Sequence, residues 1–288
     1  MNVGIVGSTG YIAGYLIRYL EKQEQIKTII KIDRSDSADF YLDLSQSEQF
    51  HYEKLKGIDY IIFTAAISGP DQCASEFDAC WKINVEGTGR FIDEALNQGC
   101  RVLFFSSDAV YGDVPGKTYT EDSETKAETP YGRMKKAIED RFWSASGFKA
   151  IRLSYVVSQN DKFVSYCLNC MGKGEEAEIF HPFYRNCVVV TDVVNTVDWL
   201  IRHWDQFPSM VLNVAGRELV SRVRIVDEIN RLCTRKLRYR IVTPDESFYQ
   251  NRPKITQMES KFLGEYKILE NNSFSEKIQK ELEEYINE

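Results

Sequence analysis

The first 33 residues of this 288-residue chain constrain its fold more than any other stretch. An apolar segment, 2–6, leads directly into a turn that contains Gly7 and Gly10, and a helical pattern follows. A second apolar segment, 28–32, ends at Asp33, twenty-three residues after Gly10. Gly7 suits a tight turn, and Gly10 lets backbone approach a pyrophosphate at the helix N-terminus. Because an acidic group at the end of the second strand can bind ribose hydroxyls, the pattern predicts a dinucleotide-binding βαβ unit.

Two side chains bear on which dinucleotide is bound. Asp33 favours NAD because its carboxylate would repel the 2′-phosphate of NADP. Arg34 favours the opposite choice, since a guanidinium could pair with that phosphate. We predict NAD and keep NADP as the alternative. Tyr11 and Ile12, which open the helix, are further candidates for cofactor binding.

Three more positions are candidates for the cofactor site. Asp43-Leu44 follows a short extended piece and could cover the adenine, and its alternative interpretation is a helix N-cap. Ala65-Ala66 follows the third strand, where small side chains let a cofactor lie close to backbone. Asn84 lies on an otherwise apolar helix face, where it binds either the cofactor or buried backbone.

A second constraint comes from the stretch that ends in Tyr131 and Lys135. Ser107 follows an apolar strand, 101–105, and therefore lies at the carboxyl edge of a sheet, where α/β sheets bind ligands. Tyr131 and Lys135 are four apart and share one face of a helix. A lysine charge about 4 Å away at a dielectric of about 20 is worth roughly 4 kcal/mol, which would bring the phenol pKa near neutrality.

These three side chains predict a proton-transfer site for a carbon that gains or loses hydride. The serine hydroxyl would hold the substrate oxygen, and Tyr131 would exchange the proton. Asp108, next to Ser107, is a tentative catalytic candidate. It is a second acid, an anchor for a substrate hydroxyl, or a turn former.

Composition narrows the class of protein. A net charge of −7 without a basic cluster argues against nucleic-acid binding. The longest apolar runs, such as 187–190, are far shorter than the roughly 20 residues needed to cross a bilayer. With no visible export leader, we expect a cytoplasmic protein without a membrane partner. Seven cysteines without framework spacing indicate reduced thiols, and the Cys167/Cys170 pair lacks the second ligand pair of a metal site, so no metal is expected.

Beyond the fifth strand, 150–157, helices and strands stop alternating regularly. We predict a doubly wound, Rossmann-type α/β domain from 1–157 with 188–215, and a smaller, discontinuous C-terminal substrate lobe from 158–187 with 216–288. The Tyr131 helix is expected to continue to about 146–147. A final amphipathic helix is predicted with the following residues on one stripe: Ile278, Leu282, Tyr285 and Ile286.

Seven features follow one another along the chain: Gly7-x-x-Gly10, Asp33, Asp43-Leu44, Ala65-Ala66, Asn84-Val85-x-Gly87-Thr88, Ser106-Ser107 with Val110-Tyr111-Gly112, and Tyr131-x-x-x-Lys135. Together they resemble the extended short-chain dehydrogenase/reductase family, whose members act largely on nucleotide-activated sugars. The resemblance implies that Ser107 polarises a substrate oxygen, that Tyr131 is the acid/base, and that Lys135 tunes Tyr131 and binds the nicotinamide ribose. Arg185 and Arg252 resemble the arginines with which these enzymes hold the nucleotide phosphates.

Three departures qualify the resemblance. Ala13 replaces the third glycine of the phosphate motif, and Ser158 stands where many relatives have glycine after the fifth strand. The family's 4,6-dehydratases carry Asp-Glu after the catalytic hydroxyl, whereas this chain has Asp108-Ala109, which disfavours dehydration.

The resemblance implies an NAD(P)-dependent oxidoreductase that transfers hydride at a ring carbon, C4, of a nucleotide-linked sugar. The short length of the chain and its Arg252-Pro253 segment are similar to those of the dTDP-4-dehydrorhamnose reductases. Ser107 and the tyrosine-glycine turn, Tyr111-Gly112, are equally similar to those of the UDP-galactose 4-epimerases. The alternative is a catalytically silent, NAD(P)-binding regulatory subunit. The resemblance also implies a homodimer in which helices 84–97 and 131–146 form a four-helix bundle.

Overall fold

The structure, a computed structural model, describes residues 1–114 and 116–283. The chain forms two compact units, each assembled from segments that are distant in sequence. Unit 1 comprises Met1–Gly112, Glu124–Arg152 and Val197–Leu212, and unit 2 comprises Asp113–Ser123, Leu153–Thr196 and Asn213–Glu288.

The strands of the described residues, in chain order, are β1 (Asn2–Val6), β2 (Thr28–Asp33), β3 (Phe40–Tyr41), β4 (Tyr60–Phe63), β5 (Arg101–Ser107), β6 (Thr118–Tyr119), β7 (Phe148–Leu153), β8 (Val156–Val157), β9 (Glu176–Phe180), β10 (Tyr184–Arg185), β11 (Val188–Val189), β12 (Val211–Val214), β13 (Val220–Ser221), β14 (Arg238–Val242) and β15 (Ile255–Met258). The α-helices are α1 (Tyr11–Leu20), α2 (Pro70–Ser75), α3 (Phe77–Trp81), α4 (Thr88–Asn97), α5 (Pro130–Phe142), α6 (Lys162–Lys173), α7 (Val190–Arg202), α8 (Arg222–Leu232), α9 (Glu246–Gln250), α10 (Phe262–Glu265) and α11 (Phe274–Glu281). A π-helical segment, Lys82–Gly87, joins α3 to α4, and 3-10 turns cover Leu44–Gln49, Tyr52–Leu55 and Asp108–Val110.

The central sheet of the described chain has the order β12-β7-β5-β4-β1-β2-β3. The pairs β1–β2, β1–β4, β2–β3 and β4–β5 are parallel. Ile5, Ile62 and Leu103 are fully buried in its inner strands, as expected for a parallel sheet that is covered on both faces. The strand order reverses between β1 and β4, the position where doubly wound sheets bind ligands. The predicted Rossmann-type α/β fold is confirmed.

Two element boundaries differ from the sequence prediction. The Tyr131 helix, α5, ends at Phe142 rather than near 146–147. The predicted fifth strand, 150–157, is two strands, because β7 belongs to the central sheet whereas β8 pairs in parallel with β11 in unit 2. A run of apolar residues therefore serves two different sheets, which periodicity within the run does not reveal.

The described residues of unit 2 form three small sheets. They have the strand orders β13-β10-β15-β6, β11-β8 and β14-β9. An apolar core packs α6, α8 and α11 together, with Val226 and Ile278 fully buried. A capping box formed by Ser273 and Glu276 starts α11. Ile278 and Leu282 of the predicted stripe are buried, while Tyr285 and Ile286 lie outside the described residues.

The helices of residues 1–114 and 116–283 were also compared with the length and hydropathy that a bilayer requires. None of them meets the requirement for crossing a membrane.

Candidate active site

The glycine turn packs tightly against the end of β4. Gly7 has a φ of 81°, and a β-carbon at this position would lie 2.8 Å from the backbone nitrogen of Ala65. The N–H of Gly10 donates to the Gly7 carbonyl at 2.9 Å, and α1 begins at the exposed Tyr11. Ala13, in place of a third glycine, is fully buried. The exposed start of α1 and the closely approaching glycines fit a dinucleotide pyrophosphate.

Asp33, at the end of β2, is held against the same turn. Its Oδ2 accepts hydrogen bonds from the backbone N–H and the hydroxyl of Thr9, both at 2.9 Å. Its Oδ1 accepts from the N–H of Arg34 at 2.6 Å, and the Arg34 side chain is exposed. Thr9 was not singled out by the sequence, although its position inside the glycine turn is the signal that could have found it.

Asp43 caps the short helix that follows it. Its Oδ1 accepts from the N–H and the hydroxyl of Ser45, both at 2.8 Å. Burial raises the pKa of Asp43, but these hydrogen bonds and the charge of Arg34 outweigh it, so the pKa lies below its ordinary value. The capping interpretation describes the observed contacts, and binding of adenine by Asp43 and the buried Leu44 stays a prediction.

Asn84 supports the loop that follows Ala65 and Ala66. Its amide donates to the carbonyl of Ile67 at 2.8 Å, and its Oδ1 accepts from the N–H of Ile67 at 2.9 Å. Asn84 is 4% exposed, and both ends of its amide are satisfied by the backbone of Ile67. Asn84 therefore holds the loop that follows β4 in place through Ile67, and its binding of the cofactor stays a prediction.

The turn after β5 contains Ser107 and Asp108. The Ser107 hydroxyl accepts from the N–H of Ala109 at 3.2 Å and donates to Oδ1 of Asp108 at 3.0 Å. Ser107 is half-buried and caps the 3-10 turn Asp108–Val110. The hydroxyl that the sequence predicts to bind a substrate oxygen therefore donates to Asp108 in the ligand-free protein.

Gly132 brings the start of α5 against this turn. A β-carbon at Gly132 would lie 2.2 Å from the Ala109 carbonyl oxygen, so only glycine permits the observed approach. Thr129 caps α5 by accepting from the N–H of Gly132 at 3.2 Å. Tyr131 is thereby held next to the turn that contains Ser107.

Lys135 lies one helical turn beyond Tyr131 and is 4% exposed. Its Nζ donates to the Phe105 carbonyl at 2.7 Å and lies 5.7 Å from the centroid of the Tyr131 ring. Burial lowers the pKa of Lys135 to about 7, although the charges of Glu139 and Cys73 act in the opposite direction. The Lys135 side-chain amine is thus only partly protonated near neutral pH.

The pKa of Tyr131 differs from the sequence-based expectation. Burial raises it above its ordinary value, and the charges of Cys73 and Asp108 raise it further. The expectation that Lys135 brings this pKa near neutrality is therefore wrong for the ligand-free protein. The attraction between the phenolate and the ammonium would lower this pKa, but the desolvation of both groups opposes that effect and is larger.

A buried ion pair lies behind the Ser107 turn, and the sequence analysis missed it. Nη2 of Arg152, on β7, lies 2.6 Å from Oε2 of Glu139, on α5, and both side chains are 2% exposed. The Ser106 hydroxyl donates to Glu139 at 2.5 Å, and Arg152 donates to the Tyr111 hydroxyl at 2.8 Å. The network therefore connects β5, the tyrosine-glycine turn, α5 and β7.

The predicted phosphate-binding arginines both belong to unit 2. Arg185 donates to the carbonyls of Tyr184 at 2.6 Å and Pro253 at 2.8 Å, which places it next to the Arg252-Pro253 segment. Arg252 donates to the Phe248 carbonyl at 3.2 Å. The structure therefore brings Arg185 and the Arg252 segment together, as it does Ser107, Tyr131 and Lys135 in unit 1.

No cluster of three or more His, Cys, Asp or Glu side chains in the described chain could hold a metal ion. All seven cysteines, including Cys167 and Cys170 on α6, are free and buried.

Comparison with known proteins gives the family. The model of the NAD dependent epimerase/dehydratase family matches residues 3–215. A UDP-glucose 4-epimerase of Streptomyces lividans is 24% identical over 165 residues, which cover 52% of this chain and 50% of that protein. The chain thus spans about half the length of curated relatives that it matches.

Two solved structures have the same fold. A dTDP-4-dehydrorhamnose reductase of Clostridium acetobutylicum superposes with a TM-score of 0.86 at 19% identity, covering 99% of both chains. MoeE5, in complex with UDP-glucose and NAD, superposes with a TM-score of 0.82 at 20% identity, covering 98% of both chains. The family match over residues 3–215 and the glycine turn that it includes agree with the predicted NAD(P) cofactor. The chain therefore belongs to the NAD-dependent epimerase/dehydratase family.

Proposed function

We propose that the protein transfers hydride between NAD(P) and C4 of a nucleotide-activated sugar, as a 4-keto-sugar reductase or as a 4-epimerase. The observation that carries this proposal is the convergence of Ser107, Tyr131 and Lys135 at the carboxyl end of β5. Because β1, β4 and β5 are parallel, this end lies at the same edge of the sheet as the glycine turn. Family membership and the UDP-glucose and NAD bound to MoeE5 support the substrate class.

The residues have distinct roles in the proposed reaction. NAD(P), when bound, supplies or accepts the hydride. In the reducing direction Tyr131 donates its proton to the carbonyl oxygen of the sugar, and the Ser107 hydroxyl rotates from Asp108 to donate a hydrogen bond to the same oxygen. The raised pKa keeps Tyr131 protonated at neutral pH, so the proton to be donated is present. In the oxidising direction Tyr131 accepts the proton of the sugar hydroxyl, and a protonated Lys135 stabilises the phenolate.

Reductase and epimerase differ in cofactor stoichiometry. A reductase consumes one added NADH for each 4-keto sugar reduced, which is measured as loss of absorbance at the nicotinamide band. An epimerase interconverts two nucleotide sugars with a catalytic quantity of cofactor. Screening UDP- and dTDP-linked sugars and their 4-keto forms in both assays identifies the reaction and the nucleotide.

Tyr131→Phe tests the catalytic assignment. We expect it to retain NAD binding and to lose at least about 100-fold in kcat, the usual worth of a positioned acid or base. Tyr166→Phe, a tyrosine of unit 2 that is 39% exposed, is the matched control and should keep full activity. Undiminished turnover in Tyr131→Phe would refute the mechanism. A wild-type protein that binds NAD without turning over any sugar would support the regulatory-subunit alternative.

Asp33 bears on the choice of cofactor, and two arginines bear on the binding of the substrate. We propose NAD rather than NADP because Asp33 faces the glycine turn while Arg34 is exposed. The substrate phosphates are assigned to Arg185 and Arg252, in the proposed lobe 158–187 with 216–288. The reduced cysteines favour the cytoplasm.

We also propose a homodimer through α4 and α5. Trp143, which directly follows α5, is 53% exposed, as an interface aromatic would be in the isolated chain. Sedimentation velocity measures the oligomeric state, and a monomer at micromolar concentration would contradict this part.

A further inference from the structure

A carboxylate that the proposed reaction does not use lies inside the candidate active site. Asp108 follows Ser107 at the carboxyl end of β5 and is half-buried, and its Oδ1 accepts a hydrogen bond from the Ser107 hydroxyl at 3.0 Å. After burial and the charge of Cys73, the charge of Asp108 is a further cause that raises the pKa of Tyr131. The carboxylate therefore acts on both of the groups that are assigned to the reacting oxygen.

The turn that contains Asp108 is formed by other groups. The Ser107 hydroxyl caps this 3-10 turn by accepting from the N–H of Ala109 at 3.2 Å. The backbone carbonyl of Asp108 closes the turn by accepting from the N–H of Tyr111 at 3.1 Å. Formation of the turn therefore does not account for an aspartate side chain at position 108.

Ser107 and Asp108 present a hydrogen-bond donor and an acceptor side by side. The Ser107 hydroxyl has one proton, so when it turns to a substrate carbonyl, Oδ1 of Asp108 loses that donor. Loss of a hydrogen bond at a partly buried carboxylate costs free energy unless another donor replaces it. A substrate hydroxyl next to the carbonyl is such a donor.

The spacing of the pair matches a carbonyl with a hydroxyl on the neighbouring carbon. Oγ of Ser107 and Oδ1 of Asp108 are 3.0 Å apart, and oxygens on neighbouring ring carbons of a pyranose have a similar separation. A 3-hydroxy-4-keto sugar offers one acceptor, the carbonyl, and one donor, the hydroxyl, which is the complement of this pair. The other neighbour of C4 is C5, which carries the ring oxygen and a carbon substituent and therefore has no hydroxyl to donate.

We propose that Asp108 binds the hydroxyl on C3, beside the reacting carbon, and thereby selects nucleotide-activated sugars with a free 3-hydroxyl over 3-deoxy sugars. This inference rests on the proposed function and assigns a further substrate group to the same site. The 3-hydroxyl donates to the Asp108 carboxylate while Ser107 and Tyr131 contact the C4 oxygen. It also disperses the charge of Asp108, which otherwise opposes the phenolate that Tyr131 becomes. A site that hydrogen-bonds a substrate hydroxyl rejects the analogue without it, because its own polar group is then left unpaired.

Titration calorimetry on the NADH-saturated protein tests the assignment, because the reduced cofactor cannot oxidise a bound sugar alcohol. The probes are UDP-glucose and dTDP-glucose, each with its 3-deoxy analogue, and the nucleotide that binds the wild type more tightly is used. The ratio of the Kd of the 3-deoxy analogue to the Kd of its parent is the 3-deoxy penalty. In the wild type we expect a penalty of about tenfold to a hundredfold, the loss expected for a hydrogen bond to a charged group.

Variants of the pair separate its two members. Asp108→Ala should reduce the 3-deoxy penalty to less than about twofold by weakening the binding of the parent sugar. Asp108→Asn keeps an acceptor oxygen without the charge, so its penalty should lie between those of the wild type and Asp108→Ala. Ser107→Ala should weaken the binding of both sugars and keep the penalty, because Asp108 remains. Asp205→Asn is the matched control and should behave as the wild type, since this carboxylate is 75% exposed and pairs with Arg101 at the opposite end of β5.

Several results would overturn the inference. These are a 3-deoxy analogue that binds the wild type as tightly as its parent, a penalty that persists unchanged in Asp108→Ala, and a wild type that binds neither UDP-glucose nor dTDP-glucose. If Asp108→Ala does not fold, as judged by near-ultraviolet circular dichroism, Asp108→Asn replaces it, with an expected penalty at least about threefold smaller than that of the wild type. A wild type that shows the expected penalty but transfers no hydride would refute the proposed reaction and leave the role of Asp108 intact. Hydride transfer without a penalty would refute the role of Asp108 alone.

Discussion

The buried ion pair between Glu139 and Arg152 gives the sharpest prediction for the candidate site. Arg152 makes contacts of 3.1 and 2.6 Å to the Glu139 carboxylate through Nε and Nη2. Replacing one partner of a buried ion pair leaves an uncompensated charge and costs about 3–5 kcal/mol. We therefore expect Arg152→Leu and Glu139→Leu each to lower the free energy of unfolding of unit 1 by about 3–5 kcal/mol.

The double variant Glu139→Leu/Arg152→Leu should be less destabilised than the sum of the two single variants. It removes both charges, so the remaining cost is the loss of partners for the Ser106 and Tyr111 hydroxyls, about 1–3 kcal/mol each. The expected coupling free energy is about 3 kcal/mol. Native-state hydrogen exchange of amides in β5 and α5 measures the stability of this unit directly. Additive effects, within about 0.5 kcal/mol, would refute the ion-pair argument.

The same pair should influence the proton state of Lys135. Glu139 lies one helical turn from Lys135, and its negative charge raises the pKa of that lysine. Glu139, on the same helix, and Cys73, on α2, both raise the pKa of Lys135, and Arg152 faces Glu139 from β7. Glu139→Gln should move the alkaline limb of kcat/KM for sugar reduction to lower pH, because it removes an anion and leaves the cation of Arg152. A limb that moves to higher pH would contradict this assignment.

Three other perturbations test separate parts of the structure. Gly132→Ala forces a β-carbon against the Ala109 carbonyl, so we expect a loss of about 1–3 kcal/mol in unfolding free energy and a lower kcat, measured against Gly172→Ala, where a β-carbon meets no atom. Lys135 has a pKa of about 7 in the folded protein and about 10.4 in the unfolded chain, so the unfolded chain binds its proton more tightly. The free energy of unfolding should therefore rise between about pH 7 and 10 in the wild type but not in Lys135→Met. Asp33→Ser should reduce the preference for NAD over NADP at least tenfold in Kd, and an unchanged ratio would remove Asp33 from cofactor selection.

The sequence predicted those features that depend on short stretches of chain. The glycine turn, the acidic end of β2 and the Tyr131/Lys135 spacing are local, and each signals its geometry through residue type and spacing. Gly87 shows what this reasoning omits. A β-carbon there would lie 1.9 Å from the Leu44 carbonyl oxygen, and the chain around it is π-helical. That close approach joins residues forty-three positions apart, so no periodicity within either stretch reveals it.

Buried charged residues are the other feature of the structure that the sequence did not predict. Glu139 and Arg152 lie in helical and extended patterns where charged residues are ordinarily solvent-exposed. The sequence gives no sign that these two residues pair in the core. The Tyr131 pKa was wrong for a related reason, because desolvation depends on residues such as Cys73 that come from other segments.

The proton states of Tyr131 and Lys135 together have a consequence for the proposed reaction. In the ligand-free protein the phenol is protonated and the ammonium is only partly charged, so the site stores its proton on Tyr131. This state is ready to reduce a 4-keto sugar by donating that proton. Oxidation of a sugar alcohol requires a phenolate, which a neutral Lys135 does not stabilise. Reduction leaves the same phenolate once the proton has been donated, so a reductase and a 4-epimerase both require a ligand that restores the charge of Lys135. The pH dependence of kcat/KM therefore reports the charge of Lys135 in either direction, and cofactor stoichiometry distinguishes the two activities.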